Sequence, residues 1–343
     1  MSRGRDSTGA AERRRPTSRR GLSNDSPLLG GSLSFGAGAE TPRPPAGEFE
    51  PRPDDLELPR PEARAPEPAP RDLQELIPPA DGPRELDDWG RSQRFFDLME
   101  PVLDFYYRYW FRVEQRGVEN VPSEGGALLV SNHSGALPPD APMIMQSIRH
   151  EHPQPRPLYM LGEHWFKGYP GVGMLTNKIG LVAAHPANAQ RLLCDEGRLA
   201  LVFPEGQKAT RKVYWQRYRL RRFGRGGFVK TALRARVPIV PVAVVGAEEA
   251  MPIFAHVRAL QRLTGHIYFP INHAFPWAGL AAGAMYLPAK FKIRFLEPVS
   301  LDEYGPEDAE DLTLVQTIAE RIRAQIQREV DQLVAGRTSV WFG

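Results

Sequence analysis

The sequence predicts an α/β fold: a single domain on a mixed, mostly parallel sheet covered by helices, with an N-terminal amphipathic helical segment. Three observations carry this. Short apolar runs alternate with helix-like runs between residues 113 and 295, the pattern of a sheet whose crossovers are helices. One run, Pro238–Val245, is apolar throughout, as a strand buried on both faces is. Two strand ends carry polar residues beside glycine and proline: Ser131-Asn132-His133-Ser134-Gly135 and Phe203-Pro204-Glu205-Gly206. Open α/β sheets bind ligands at the carboxyl ends of their strands.

The elements follow in order. Residues 1–80 are an Arg/Pro-rich N-terminal region, and Met1–Pro70 is poor in large apolar side chains. It cannot bury enough surface to offset its ordering entropy, so disorder is expected there. Residues 85–340 make one domain. Its segment 91–113 packs eight aromatic side chains among Arg91, Arg94, Arg108 and Arg112. That is the composition of an interfacial helix, or of a helix laying an aromatic face on its own sheet. Ala274–Pro288, with Trp277 and Tyr286, invites the same two readings. Strands are expected at Val113–Val118, Ala127–Val130, Pro157–Leu161, Gly180–Ala184, Leu199–Phe203, Pro238–Val245 and Phe291–Phe295. Helices are expected at Ala141–Ile148, Tyr169–Lys178, Pro186–Glu196 and Gly227–Ala235, and finally over 307–335. In the last, Val315, Ile318, Ile322, Ile326, Val330 and Leu333 form a stripe that should dock on the domain, with a dimer seam as the alternative.

Composition narrows the partners. The net charge of +3 is too small to imply nucleic acid, which is not expected as a partner. The basic residues are clustered: Lys208, Arg211, Lys212, Arg217, Arg219, Arg221, Arg222 and Arg225 share one segment without an acidic residue. Such a patch suits phosphate groups or lipid headgroups, unless it is simply a solvated loop. The single cysteine, Cys194, excludes a disulfide framework and reads as a packing residue. The N-terminus lacks the apolar core of a secretory signal, and no uninterrupted run reaches the length of a spanning helix.

The chemistry centres on His133. It follows a strand, Gly135 opens the turn after it, and Asp140 lies seven residues on. An imidazole titrates near neutral pH and a carboxylate can fix its tautomer, so the pair suits base catalysis. Asp140 is also placed to cap the helix that follows, and the two roles compete. A Gly-x-Ser-x-Gly elbow is lacking, and no second histidine falls at a zinc spacing from His133, so neither a standard serine hydrolase nor a metal site is expected. Glu205, fixed between Pro204 and Gly206, is a candidate to bind an acceptor hydroxyl or to hold Lys208 and Arg211; otherwise it is a turn residue.

Asn132-His133 with a downstream Asp, then Phe203-Pro204-Glu205-Gly206, then Val237-Pro238-Ile239-Val240-Pro241-Val242, resembles three of the four blocks of the glycerolipid acyltransferases, which include the 1-acyl-glycerol-3-phosphate acyltransferases. The resemblance covers about residues 105–300 in order and spacing. It implies His133 as general base, Asp140 as its orienting partner, and substrate binding by Asn132, Gly135, Phe203, Pro204, Glu205, Gly206, Lys208, Arg211 and Pro241. It implies no cofactor, only acyl-CoA or acyl-carrier protein as co-substrate, with membrane lipids as partners. It also implies a peripheral position on the cytoplasmic face of the membrane.

The chain departs from the family pattern in three places. Six residues, not four, separate His133 from Asp140, as in a diacylglycerol-acyltransferase-like His-Ser-Gly-x-x-Pro-x-Asp variant. Gln207-Lys208 replaces Thr-Arg, which keeps a charge but loses the arginine fork. The stretch matching the second block, Lys178–Ala184, has no terminal arginine. The family implies a lysophospholipid or other glycerolipid as acceptor; the departures count against a phosphate-bearing one and leave a neutral glycerolipid, another lipid alcohol or an amine. The alternatives to acyl transfer are a lipid or thioester hydrolase, and an inactive membrane-binding scaffold.

Overall fold

The computed structural model describes residues 86–134, 137–162, 172–257 and 270–343. All of these lie in the second of two units into which the chain divides, Pro78–Gly343. The N-terminal region 1–80, Gly135 and the start of the helix expected from Tyr169 lie outside the described residues.

A seven-stranded sheet organises the unit. Its strands are β1 (Glu114–Arg116), β2 (Ala127–Ser131), β3 (Leu158–Gly162), β4 (Leu181–Ala183), β5 (Leu199–Val202), β6 (Ile239–Val245) and β9 (Lys292–Phe295). The order across the sheet is β1-β9-β6-β2-β5-β3-β4. Neighbours run parallel except β6 and β9, so the sheet is mixed and mostly parallel, as the sequence predicts. Two short strands, β7 (Ala255–His256) and β8 (Pro270–Ile271), pair apart from it.

Both faces of the sheet are covered, because its central strands are apolar on both sides, with only Ser131 at the end of β2 polar. On β2, Leu129 enters the core under α2 (Asp140–Glu151), while Leu128 and Val130 enter the opposite core, with α6 (Gly227–Ala235) and the C-terminal helix Leu312–Ala335. β6 alternates in the same way and is buried along its whole length. Pro241 sits inside this strand, registered with Val130. Its missing N–H costs no ladder bond. The antiparallel neighbour bulges between Leu296, which donates to Pro241 O at 2.9 Å, and Val299, which pairs with Ile239. Pro241 is thus accommodated as a buried residue of the sheet.

The C-terminal helix is capped by Asp311, whose carboxylate accepts from Thr313 and Leu314 N–H. All six stripe residues named above are buried in the core against the sheet. The helix expected from Pro186 runs as α4 (Pro186–Gln190) and then widens into a π turn at Arg191–Asp195. Leu192 and Leu193 take the inward positions of that turn, so Cys194 is exposed and not a packing residue.

The amphipathic segment forms α1 (Gln93–Asp104), followed by a π-helical stretch over Phe105–Trp110. Phe96, Tyr107 and Phe111 are its buried side chains, and Glu100 and Asp104 are half-buried beside them. Glu100 receives two bonds from Arg149 of α2, at 3.0 and 2.7 Å, and Asp104 meets His150 at 2.5 Å. Leu98, Val102, Phe105 and Tyr109, spaced four, three and four apart, are 72, 48, 47 and 71% exposed. Among the described residues no helix is long and apolar enough to cross a membrane.

Candidate active site

β2 ends at Ser131, and Asn132 extends its pairing by side chain. Its amide oxygen accepts from Val244 N–H at 2.8 Å and its amide nitrogen donates to Val244 O at 2.9 Å. A side chain thus closes one more rung of the ladder with β6, and the chain leaves the sheet at a fixed point. Asn132 is buried there, so its contribution is to place the next residue.

That residue is His133. Its Nδ1 lies 2.9 Å from Asp140 Oδ2. Asp140 occupies the first turn of α2, yet the helix N-terminus has no side-chain cap. The carboxylate instead turns back, accepting Ser134 N–H at 3.0 Å and the Ser134 hydroxyl at 3.2 Å. Of the two competing roles, the geometry therefore realises the pairing with His133 across six intervening residues. Asp140 is fully buried and the His133 side chain is 15% exposed. With Nδ1 bonded to the carboxylate, Nε2 is the nitrogen left for a substrate.

The second strand end, after β5, closes over the first. The Phe203 ring stacks on the imidazole at 4.1 Å between centroids and 22° between planes. Gly206 adopts φ 57°, ψ −153°, a backbone region essentially reserved for glycine. This turn aims Glu205 inward, where Oε1 accepts the His133 main-chain N–H at 3.1 Å and Oε2 the Arg221 N–H at 2.5 Å. The Gly206 N–H donates to Phe203 O at 3.0 Å, so it is committed to the turn and not to an oxyanion.

The cation at Glu205 is Lys212, 3.8 Å from Oε2, and not Lys208 or Arg211, both of which are exposed. Lys212 also pairs with Glu248 Oε1 at 2.9 Å. Burial pushes the Glu248 carboxyl above the ordinary carboxylate range, against the pull of the Lys212 ammonium. Sequence reasoning counted Lys212 among eight basic residues of one patch; it is the one the fold buries. Glu248, just past the end of β6, went unnoticed, although strand ends are where such residues gather. The rest of the basic loop is pinned by its own contacts. Tyr218 N–H donates to Glu248 at 2.6 Å, and the Tyr218 hydroxyl meets Glu249, which Arg337 also reaches.

Glu100, Asp104 and His150 approach one another closely enough to hold a cation, but Arg149 and His150 already pair with those carboxylates in the α1–α2 contact.

The fold and this pair define an α/β enzyme whose histidine–carboxylate dyad stands at the carboxyl ends of a mostly parallel sheet. A family model described as Acyltransferase matches residues 112–245, a span that holds both strand ends. Uncharacterized proteins of Mycobacterium bovis and Mycobacterium leprae are 41% and 42% identical over 263 residues, covering 76% of this chain and 73% and 71% of theirs. A Gallus gallus protein named as a DGAT1/2-independent enzyme synthesizing storage lipids is 26% identical over 224 residues, covering 63% of this chain and 60% of its own. Among solved structures, the 1-acyl-sn-glycerophosphate acyltransferase PlsC of Thermotoga maritima aligns with a TM-score of 0.45 at 19% identity, over 71% of this chain and 81% of that one. The chain shares a family with these mycobacterial proteins, and its residues 112–245 match the acyltransferase model.

Proposed function

We propose that the protein moves a fatty acyl group from acyl-CoA or acyl-carrier protein to a glycerolipid hydroxyl, with His133 as general base. The observation that carries this is the 2.9 Å bond between His133 Nδ1 and buried Asp140, which leaves Nε2 to take the hydroxyl proton. The acceptor oxygen attacks the thioester carbonyl carbon. The tetrahedral intermediate then expels the thiolate as the C–S bond breaks, and the imidazolium returns its proton to the sulfur. The products are an ester and a free thiol. Asp140 holds the ring in the required tautomer and stabilises the imidazolium, as carboxylates do in triads.

A neutral glycerolipid suits this site better than a phosphate-bearing one. The cation that reaches Glu205, Lys212, is buried between two carboxylates and is already neutralised. The vertebrate relatives named for storage-lipid synthesis point the same way. Such acceptors reside in bilayers. The exposed row Leu98, Val102, Phe105 and Tyr109, with Trp277 and Met285, supports a peripheral seat on a membrane. Tyr286 packs on Tyr106 and Phe111 and donates to Leu137 O at 2.9 Å, which ties this region to the loop between His133 and Asp140.

The test offers purified protein a labelled acyl-CoA or acyl-carrier protein with vesicles containing monoacylglycerol, diacylglycerol or lysophospholipid. Labelled neutral ester is the expected product. Free fatty acid alone makes the protein a hydrolase. Transfer to lysophospholipid alone reverses the assignment of the acceptor.

A further inference from the structure

Acyl transfer by His133 and Asp140 makes no use of Lys212 or Glu248, yet the fold buries both beside the base. The Lys212 side chain is 3% exposed and that of Glu248 12%, with 2.9 Å between their charged atoms. An ammonium is taken out of water only where partners compensate its lost hydration. Lys212 has Glu248 on one side, Glu205 on the other, and Arg219 O at 3.4 Å. Three stretches of chain meet on this lysine: the end of β2 through Glu205 and His133 N–H, the basic loop through Arg221 and Tyr218 N–H, and α7 (Ala247–Ala250) through Glu248.

Glu205 is the hinge of the arrangement. Its side chain is fully buried, and each carboxylate oxygen already accepts a main-chain N–H. It is thus placed to hold the backbone of the base, not to meet an acceptor.

We infer that Lys212 and Glu248 are positioning residues for His133: they fix the Glu205 carboxylate where it holds the His133 main chain, and with it the imidazole, in register with substrate. The inference rests on the reading of His133 as the base. Without the ammonium, the Glu205 carboxylate is buried without a counter-charge. It then takes a proton or swings away, and in either case loosens its hold on His133 N–H.

The experiment compares wild type, Lys212→Met, Lys212→Arg, Glu205→Gln and the double variant Glu205→Gln/Lys212→Met, each checked for folding by thermal melting. Lys212→Met is expected to lower kcat at least about tenfold while KM for both substrates stays within about threefold, the split expected when positioning rather than binding is lost. Lys212→Arg should recover most of the rate. In the Glu205→Gln background the same lysine change should cost less than about a further threefold, because residues acting through one another are not additive. Hydrogen exchange read by mass spectrometry over residues 131–134 should quicken at least about tenfold in folded Lys212→Met.

Equal rate losses in both backgrounds overturn the inference. So does a rise in KM at unchanged kcat, which makes Lys212 a substrate ligand, or unaltered exchange over 131–134. A wild type that transfers no acyl group removes the acyl-transfer reading, while the exchange measurement still decides whether Lys212 holds His133. Should Lys212→Met not fold, Glu248→Gln makes the same comparison by removing one charge at constant shape: slower turnover and faster exchange support the inference, and no change in either overturns it.

Discussion

At the residue scale, Asp140 shows how a carboxylate at a helix start can be recruited away from capping. Its Oδ2 serves His133 Nδ1 and Ser134 N–H together, while α2 begins without a side-chain cap. Asp140→Asn keeps the shape and one acceptor oxygen but removes the charge that favours the imidazolium. Turnover should fall at least about 100-fold, while stability drops by only about 1 kcal/mol, the scale of one weakened hydrogen bond. Steady-state kinetics and urea unfolding measure the two; undiminished turnover would return Asp140 to a structural role. Asn132 makes the opposite prediction. Asn132→Ala leaves Val244 N–H and C=O unpaired in the core, so it should cost about 2–4 kcal/mol of stability, at about 1–2 for each group, with turnover falling as the base loses its anchor. A stability unchanged in urea unfolding would show that the extra rung is not formed. The two strand ends were legible in the sequence because polar residues beside glycine and proline interrupt apolar runs. Whether Asp140 reaches back over six residues was not, since that depends on the conformation of the turn. Nor was the choice among the eight basic residues, since burial of Lys212 is decided by Glu205 and Glu248, which lie far from each other in the chain.

At the element scale, periodicity carried most of the information. The last helix was readable because its six apolar positions recur on one face, and that face is the one buried. Ile322, fully buried at its middle, should cost about 2–5 kcal/mol when cut back to alanine, as a cavity in a close-packed core does. A cost below about 1 kcal/mol in urea unfolding would mean that the helix is not docked as described. The segment 91–113 was readable as aromatic and amphipathic, but not how it divides: Phe96, Tyr107 and Phe111 pack inward while Leu98, Val102, Phe105 and Tyr109 stay exposed. On the inward side Arg149 and His150 of α2 bond Glu100 and Asp104 beside buried Phe96 and Tyr107, which leaves the apolar row outside. Replacing Leu98, Val102 and Phe105 with serine should therefore leave the melting temperature within about 2 °C, since exposed positions contribute little to folding. The same change should abolish sedimentation with phospholipid vesicles. Retained sedimentation would move the membrane contact elsewhere. The antiparallel β9 and the π turn at Arg191–Asp195 were invisible beforehand, because strand direction and helix width leave no mark in local composition.

At the scale of the whole molecule, the sheet brings two strand ends over one another, and Tyr286 joins the aromatic segment to the loop that holds the dyad. Among the described residues, no nucleophile is poised to carry an acyl group: Cys194 is exposed on the π turn, and the Ser134 hydroxyl donates to Asp140 rather than to His133. Transfer should then be direct. Initial rates against both substrates should give intersecting double-reciprocal lines, with no burst of thiol when the acceptor is withheld. Parallel lines with such a burst would require an acyl-enzyme.

The central claim is that His133 Nε2 takes the proton of a glycerolipid hydroxyl as that oxygen attacks an acyl thioester. Its most direct test follows labelled acyl-CoA into lipid ester in vesicles, with wild type and a His133→Ala variant shown by circular dichroism and melting to be folded. The account predicts ester formation by wild type and a rate lower by at least about 100-fold in the variant, the scale of losing a general base. Ester formation at the wild-type rate by folded His133→Ala would contradict it.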